Sequence, residues 1–128
     1  MKKTICIIII VATALAILAV NFVNFCKKED IKKDIKEAIT HALSEDHKVA
    51  DEIASRHVIW TSFFGATDGI KAEYAQNLKN ISLTGCPADF KDAFLRHIAA
   101  WESRNRSAID STWQEVLSSA RRYDVIWR

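Results

Sequence analysis

The chain has 128 residues, 49% of them hydrophobic and 27% charged, with a formal net charge of +2. That length suits one modest domain rather than a multidomain enzyme. All three glycines and the single proline fall between Gly65 and Pro87, and so few breakers exclude an all-β fold, a Rossmann unit and a P-loop.

Residues 4–26 read TICIIIIVATALAILAVNFVNFC, with 19 of 23 positions apolar and none charged. About 20 such residues reach across a hydrocarbon core, so the lipid bilayer is the expected partner of this stretch. Lys2 and Lys3 ahead of the apolar run have the form of an export signal. Both a signal-anchor and a cleavable signal fit. Ala12-Thr13-Ala14 and Ala14-Leu15-Ala16 are small-x-small sites, but a cut at either leaves an apolar stretch running on to Cys26. Lys27, Lys28, Lys32, Lys33 and Lys36 flank the far end, and by the positive-inside rule they oppose the orientation that the signal-like start suggests. The signal form favours an exported domain. Bulky Phe25 before Cys26 speaks against a lipid-attachment cysteine.

Lys27–Arg128 carries all 16 acids and 16 of the 18 bases, so its formal charge is zero. The positive total is Lys2 and Lys3 alone. No basic stripe exists to collect phosphates, and nucleic acid is excluded as a partner.

Between Lys27 and Phe64 apolar residues recur along one stripe at Ile31, Ile35, Ile39, Ala42, Val49, Ile53, Trp60 and Phe63. Their spacing is helical with a near-heptad period. Asp46 and Arg56 fill two positions of the stripe and weaken a strict coiled coil. Ser44-Glu45-Asp46-His47-Lys48 is the expected bend; unbroken, the helix would span about 57 Å. Gly65-Ala66-Thr67-Asp68-Gly69 reads as a turn, followed by a helix over 70–81 with Tyr74, Leu78 and Ile81 on one face.

Ser82–Pro87 reads as a second loop. Pro87 suits a first helical position, with Asp89 favourably near the helix N-terminus. The next helix carries Phe90, Phe94, His97, Ile98 and Trp101 on one face. The polar stretch 103–111 reads as a loop. Thr112-Trp113-Gln114-Glu115, or the register one residue earlier, fits a capping box for a last helix over 112–123.

Catalytic signatures are sparse. His41, His47, His57 and His97 form neither H-E-x-x-H nor a Cys-His zinc spacing, so neither a metal nor a cofactor is expected. Asp46, His47 and Asp51 read as a solvated helix face rather than a metal site. His97 on an apolar face reads as a core histidine bonded through one ring nitrogen. Cys86 near a helix N-terminus has a nucleophile's position, yet a small buried residue at a loop–helix junction is the simpler reading. With Cys6 inside the apolar span, Cys26 and Cys86 are the remaining pair for a disulfide, and no stapled framework is indicated.

The residues Cys86-Pro87-Ala88-Asp89-Phe90, Ala93-Phe94, His97 and Ala100-Trp101, followed by Trp113, Val116, Ala120, Tyr123 and Val125, resemble a group of small bacterial envelope proteins without an established activity. In that group a C-P-x-D/E-F helix followed by H-x-x-A-W is paired with a C-terminal helix ending near Y-G-V. Here Asp124 stands in place of that glycine. The resemblance covers about a third of the chain and implies a shared fold. It marks Cys86, Pro87, Phe90, His97, Trp101 and Trp113 as the candidate motif.

The expected architecture is all-α. A transmembrane or signal helix (1–26) precedes a long amphipathic helix (27–64) and a compact helical region (65–128), making a small bundle of four or five helices. The expected role is a non-enzymatic interaction module on the bacterial inner membrane, single-pass, facing the periplasm and meeting a protein partner. The alternative is a periplasmic binding or immunity-type protein released by signal cleavage.

Overall fold

The computed structural model describes residues 2–57 and 67–128, with side chains described from Thr13 onward. Among these residues the chain is all-α, with four helices and no strand: α1 (Lys2–Arg56), α2 (Asp68–Leu78), α3 (Ala88–Glu102) and α4 (Arg106–Arg121). It divides into two compact units, Met1–Lys33 and Asp34–Arg128. Trp60 and Phe63 of the heptad stripe, and the Gly65-Ala66 start of the first turn, lie outside the described residues.

In the first unit the large apolar side chains from Leu15 to Phe25 are 50–69% exposed. Among residues with described side chains, no helix is long and apolar enough to cross a membrane. Eighteen residues counted from Thr13 already take in Lys27, Lys28, Glu29 and Asp30. Residues 4–12 of the apolar run lie outside that description.

The second unit builds its core from every helix. α1 contributes Ile39, Ala42, Leu43, Asp46 and Ile53, all buried. These positions recur at three, four and seven residues, so one face of the helix turns inward. The expected bend at Ser44–Lys48 is absent, and α1 runs through it unbroken. The reason is that Asp46 sits in phase with Ile39 and Ile53, and its carboxylate finds a partner inside the unit. Phe90 and Phe94 of α3 are fully buried, with ring centroids 6.0 Å apart. Each such side chain contributes about 2–3 kcal/mol through lost apolar exposure.

Helix boundaries follow from capping. Thr67 is the N-cap of α2 and its Oγ1 accepts from Ile70 N–H at 3.4 Å, so the helix starts two residues before the expected position. It stops at Leu78 rather than Ile81, because Asn80 and Ile81 turn back onto the Asn77 and Leu78 carbonyls. Pro87 is the N-cap of α3, not its first helical residue, with Asp89 in the first turn. The largest departure is in α4. The stretch 103–111 is mostly helix, because Asn105 caps it by accepting from Ala108 N–H at 3.1 Å. The proposed capping boxes are therefore unused. Ser111 and Thr112 lie inside the helix and donate their hydroxyls back to the Ala108 carbonyl.

Residues 103–105 join α3 to α4, and so short a connection makes the two helices antiparallel neighbours. Asp89 at the start of α3 accordingly meets Ser119 and Arg122 near the end of α4. α3 also packs against α2 and is the central helix.

Among the described residues the left-handed backbone occurs in three turns, at Gly85, at Arg104 (φ +58°) between α3 and α4, and at Asp124. Gly85 has φ +81°, and a Cβ there would lie 3.3 Å from Ala38 Cβ. Asp124 has φ +59°, just after α4, where the N–H of Val125 returns to the Ala120 carbonyl at 3.2 Å. Glycine is the favoured residue at such a C-terminal turn. The aspartate thus holds a left-handed turn at a conformational cost of about 1 kcal/mol. Asp124→Gly is expected to raise the melting temperature by roughly 4–8 °C. Gly85→Ala should lower it by at least as much, because strain and a tight contact coincide. Thermal unfolding followed by circular dichroism checks both.

Candidate functional site

The sequence placed two unusual polar residues, Asp46 and His97, on apolar helix faces. Both are buried, at 7% and 3% exposure. A buried polar group must find hydrogen-bond partners or cost several kcal/mol. Their partners define the site.

Tyr74 of α2 donates its hydroxyl to Asp46 Oδ1 at 2.7 Å. Burial pushes the Asp46 carboxyl up to about 6, outweighing the Tyr74 hydrogen bond and the charge of His47, which pull it down. Burial, then the charge and hydrogen bond of Asp46, pushes the Tyr74 phenol well above its ordinary range. The Tyr74 ring lies 4.5 Å from the Trp101 ring, centroid to centroid.

Trp101 donates its indole N–H to His97 Nε2 at 3.0 Å, one helical turn back. An indole nitrogen only donates, so His97 Nε2 must be the bare nitrogen. The imidazole proton therefore sits on Nδ1, 3.0 Å from Thr112 Oγ1, which accepts it. Thr112 in turn donates a hydrogen bond from its hydroxyl to the Ala108 carbonyl at 2.6 Å. Both ring nitrogens of His97 are thus engaged, one more than the sequence suggested. Burial pulls the His97 imidazole down to about 4, against a hydrogen bond to the Ile109 backbone that pulls it up. A second proton would also have to sit on Nε2, facing the Trp101 donor.

These residues wall a cavity of about 200 Å³, lined by Asp46, Tyr74, His97, Trp101, Trp113 and Trp127, together with His47, Ala50, Ile109 and Asp110. The Trp113 ring lies 5.2 Å from that of His97. Trp127 stands edge-on to His47 at 6.4 Å.

A larger, open groove of about 550 Å³ lies between α3 and α4. Four of its five charged groups form two pairs: Arg96 with Glu115 at 2.9 Å and Arg122 with Asp89 at 3.2 Å, with Asp92 as the fifth. Asp89 also accepts from Tyr123 Oη at 2.8 Å and Ser119 Oγ at 3.1 Å. Although its desolvation favours the proton, hydrogen bonds from Tyr123, Ser119 and the Phe90 amide, with the Arg122 charge, hold the Asp89 carboxyl below its usual range. This groove is a structural clamp between helix ends.

Of the candidate motif, His97, Trp101 and Trp113 come together on the cavity. Cys86, Pro87 and Phe90 do not; they lie at the N-terminal end of α3. Phe90 is core and Pro87 is the helix cap. Cys86 is buried, and that burial pushes its thiol up despite the charge of Lys91, which is the opposite of activation. Cys26 and Cys86 are both free thiols. His47 and Asp51 do approach, at 3.5 Å on an exposed face, while Asp46 points inward instead. Sequence reasoning missed Asp46, Tyr74, Thr112 and Trp127 as members of the site. Asp46 did leave a signal, since it holds a stripe position seven residues from Ile39 and from Ile53. No family model, curated protein or solved structure matches the chain.

Asp46 and His97 titrate in the same window with opposite consequences for stability. The Asp46 carboxyl binds its proton more tightly folded than unfolded, so its contribution grows as pH falls from about 6 towards 4. His97 binds its proton less tightly folded than unfolded, so its contribution is lost as pH falls from about 6.5 towards 4. Each is worth on the order of 3 kcal/mol across the window, and the two nearly cancel. Relative to the parent chain, Asp46→Asn is expected to lose stability steeply on acidification from pH 6.5 to 4. His97→Gln is expected to gain relative stability over the same range. Urea unfolding at a series of pH values measures both, and parallel stability–pH curves for the three proteins would contradict the assignment.

Proposed function

We propose that the chain is a membrane-anchored, non-enzymatic interaction module of the bacterial cell envelope. Residues 4–26 serve as an uncleaved signal-anchor in the inner membrane, and Asp34–Arg128 faces the periplasm. The observation that carries the reading is the first unit's surface. Leu15, Ile17, Leu18, Val20, Phe22, Val23 and Phe25 are each at least half exposed on a continuous helix. Consecutive exposed apolar residues of this size are found where a helix meets lipid or another protein. The uncharged run extends back to Thr4, giving a length that matches the hydrocarbon core.

The non-enzymatic half of the reading is supported by how the reactive groups are used. The His97 nitrogens are engaged by Trp101 and Thr112, the Cys86 thiol is buried with its pKa raised, and the Asp89 carboxylate is taken by Ser119, Arg122 and Tyr123. Groups held this way position helices. The resemblance to envelope proteins carrying C-P-x-D/E-F and H-x-x-A-W belongs to the same proposal.

The full-length chain is expected in the membrane fraction of the expressing cell, resistant to carbonate extraction and carrying its whole N-terminal mass. Deleting residues 2–26 should release it. Its second unit should be digested by protease in spheroplasts and protected in intact cells. A mature mass beginning between residues 15 and 27 would replace the anchor with a cleaved periplasmic protein. Extraction by carbonate at full mass would remove the membrane altogether.

A further inference from the structure

We propose that the cavity bounded by Asp46, Tyr74, Trp101, Trp113 and Trp127 is a binding site for a small organic ammonium ion. The inference concerns the second unit alone and stands whether or not residues 4–26 enter a membrane.

The size of the cavity comes first. At about 200 Å³ it falls below the range of drug-sized pockets, which starts near ~300 Å³. It equals the liquid volume of roughly seven waters, taken at ~30 Å³ each. An ion with a comparable number of heavy atoms fits.

Charge comes second. Asp46 is buried and lines the cavity, with Oδ1 held by Tyr74. Asp110 adds a second carboxyl, exposed and 4.0 Å from Arg106. The basic groups on the wall are two imidazoles. His97 is held neutral by the Trp101 N–H, and His47 lies 3.5 Å from Asp51. The wall therefore favours a positive guest over a negative or neutral one.

Surface chemistry comes third. Three indoles and a phenol line the cavity; an aromatic ring whose face a cation reaches attracts it by about 0.5–2 kcal/mol, the more so when desolvated. Such walls supply few hard oxygen ligands, and among the described residues no group of three or more His, Cys, Asp or Glu is placed to hold a metal ion. An aromatic wall with one buried carboxyl thus selects an ammonium carrying carbon substituents over a bare metal cation. Binding would hold Asp46 in its charged form and leave an ion pair screened from water.

The test titrates the full chain, in detergent if needed, with tetramethylammonium and phenethylammonium chloride, following tryptophan fluorescence and heat. 2-Phenylethanol and 3-phenylpropanoate, of similar shape, serve as neutral and anionic controls, and sodium chloride as the ionic one. Saturable binding of at least one ammonium is expected, at least ten-fold tighter than either organic control. Asp46→Asn keeps an acceptor for Tyr74 and should weaken ammonium binding ten-fold or more while leaving 2-phenylethanol unchanged. If that variant unfolds, Trp127→Ala at the half-buried C-terminal edge should weaken the ammonium several-fold in a folded chain, and Asp110→Asn more modestly. No saturable ammonium binding, equal binding of the alcohol, or unchanged affinity in a folded Asp46→Asn or Trp127→Ala variant would overturn the site.

Discussion

An indole nitrogen can donate a hydrogen bond but cannot accept one, and much of the second unit follows from that constraint. Trp101 is buried on the central helix and must hand its N–H to something. Its acceptor, His97 Nε2, lies one turn back along α3. That choice places the imidazole proton on Nδ1 and turns it towards Thr112 of α4. The other side of the Trp101 ring packs on Tyr74 of α2, whose hydroxyl reaches Asp46 of α1. One line of polar and aromatic contacts therefore draws a member from each of the four helices.

A line of this kind costs more than an apolar core if it is half made. Each broken link leaves a buried donor or acceptor unpaired, at about 1–3 kcal/mol. The bulk of the stabilisation comes from apolar residues such as Phe90, Phe94, Leu43 and Ile53. The polar line sets the register in which those residues meet. Asp46 cannot face away without stranding the Tyr74 hydroxyl, and α4 cannot slide without removing Thr112 from His97. The cavity lies beside this line and is walled by Asp46, Tyr74, His97 and Trp101 together with Trp113 and Trp127.

The fold class was legible because helix periodicity survives without knowledge of partners. Ile35, Ile39, Ala42, Val49 and Ile53 mark the inner face of α1, and Phe90, Phe94, Ile98 and Trp101 that of α3. Boundaries were harder where two caps competed. Asn105 and Thr112 are both good N-caps, and the choice between them rests on Thr112 being needed by His97, a contact fifteen residues away. Asp46 looked like a fault in a stripe, since its partner is 28 residues distant and carries no local signal. The motif segment from Cys86 to Trp101 proved to hold two structural devices. Its first half caps α3 and, through Asp89, clamps the end of α4 at Tyr123. Its second half supplies the His97–Trp101 pair.

The second unit rests on a neutral His97, protonated on Nδ1 and fixed in that state by Trp101. Long-range proton–nitrogen correlation spectra of the histidine rings measure this directly. The expected result is an unprotonated Nε2, a protonated Nδ1 and shifts for His97 that stay constant from pH 7.5 down to about 5. An Nε2–H tautomer, or a His97 that titrates near the ordinary imidazole pKa, would contradict it.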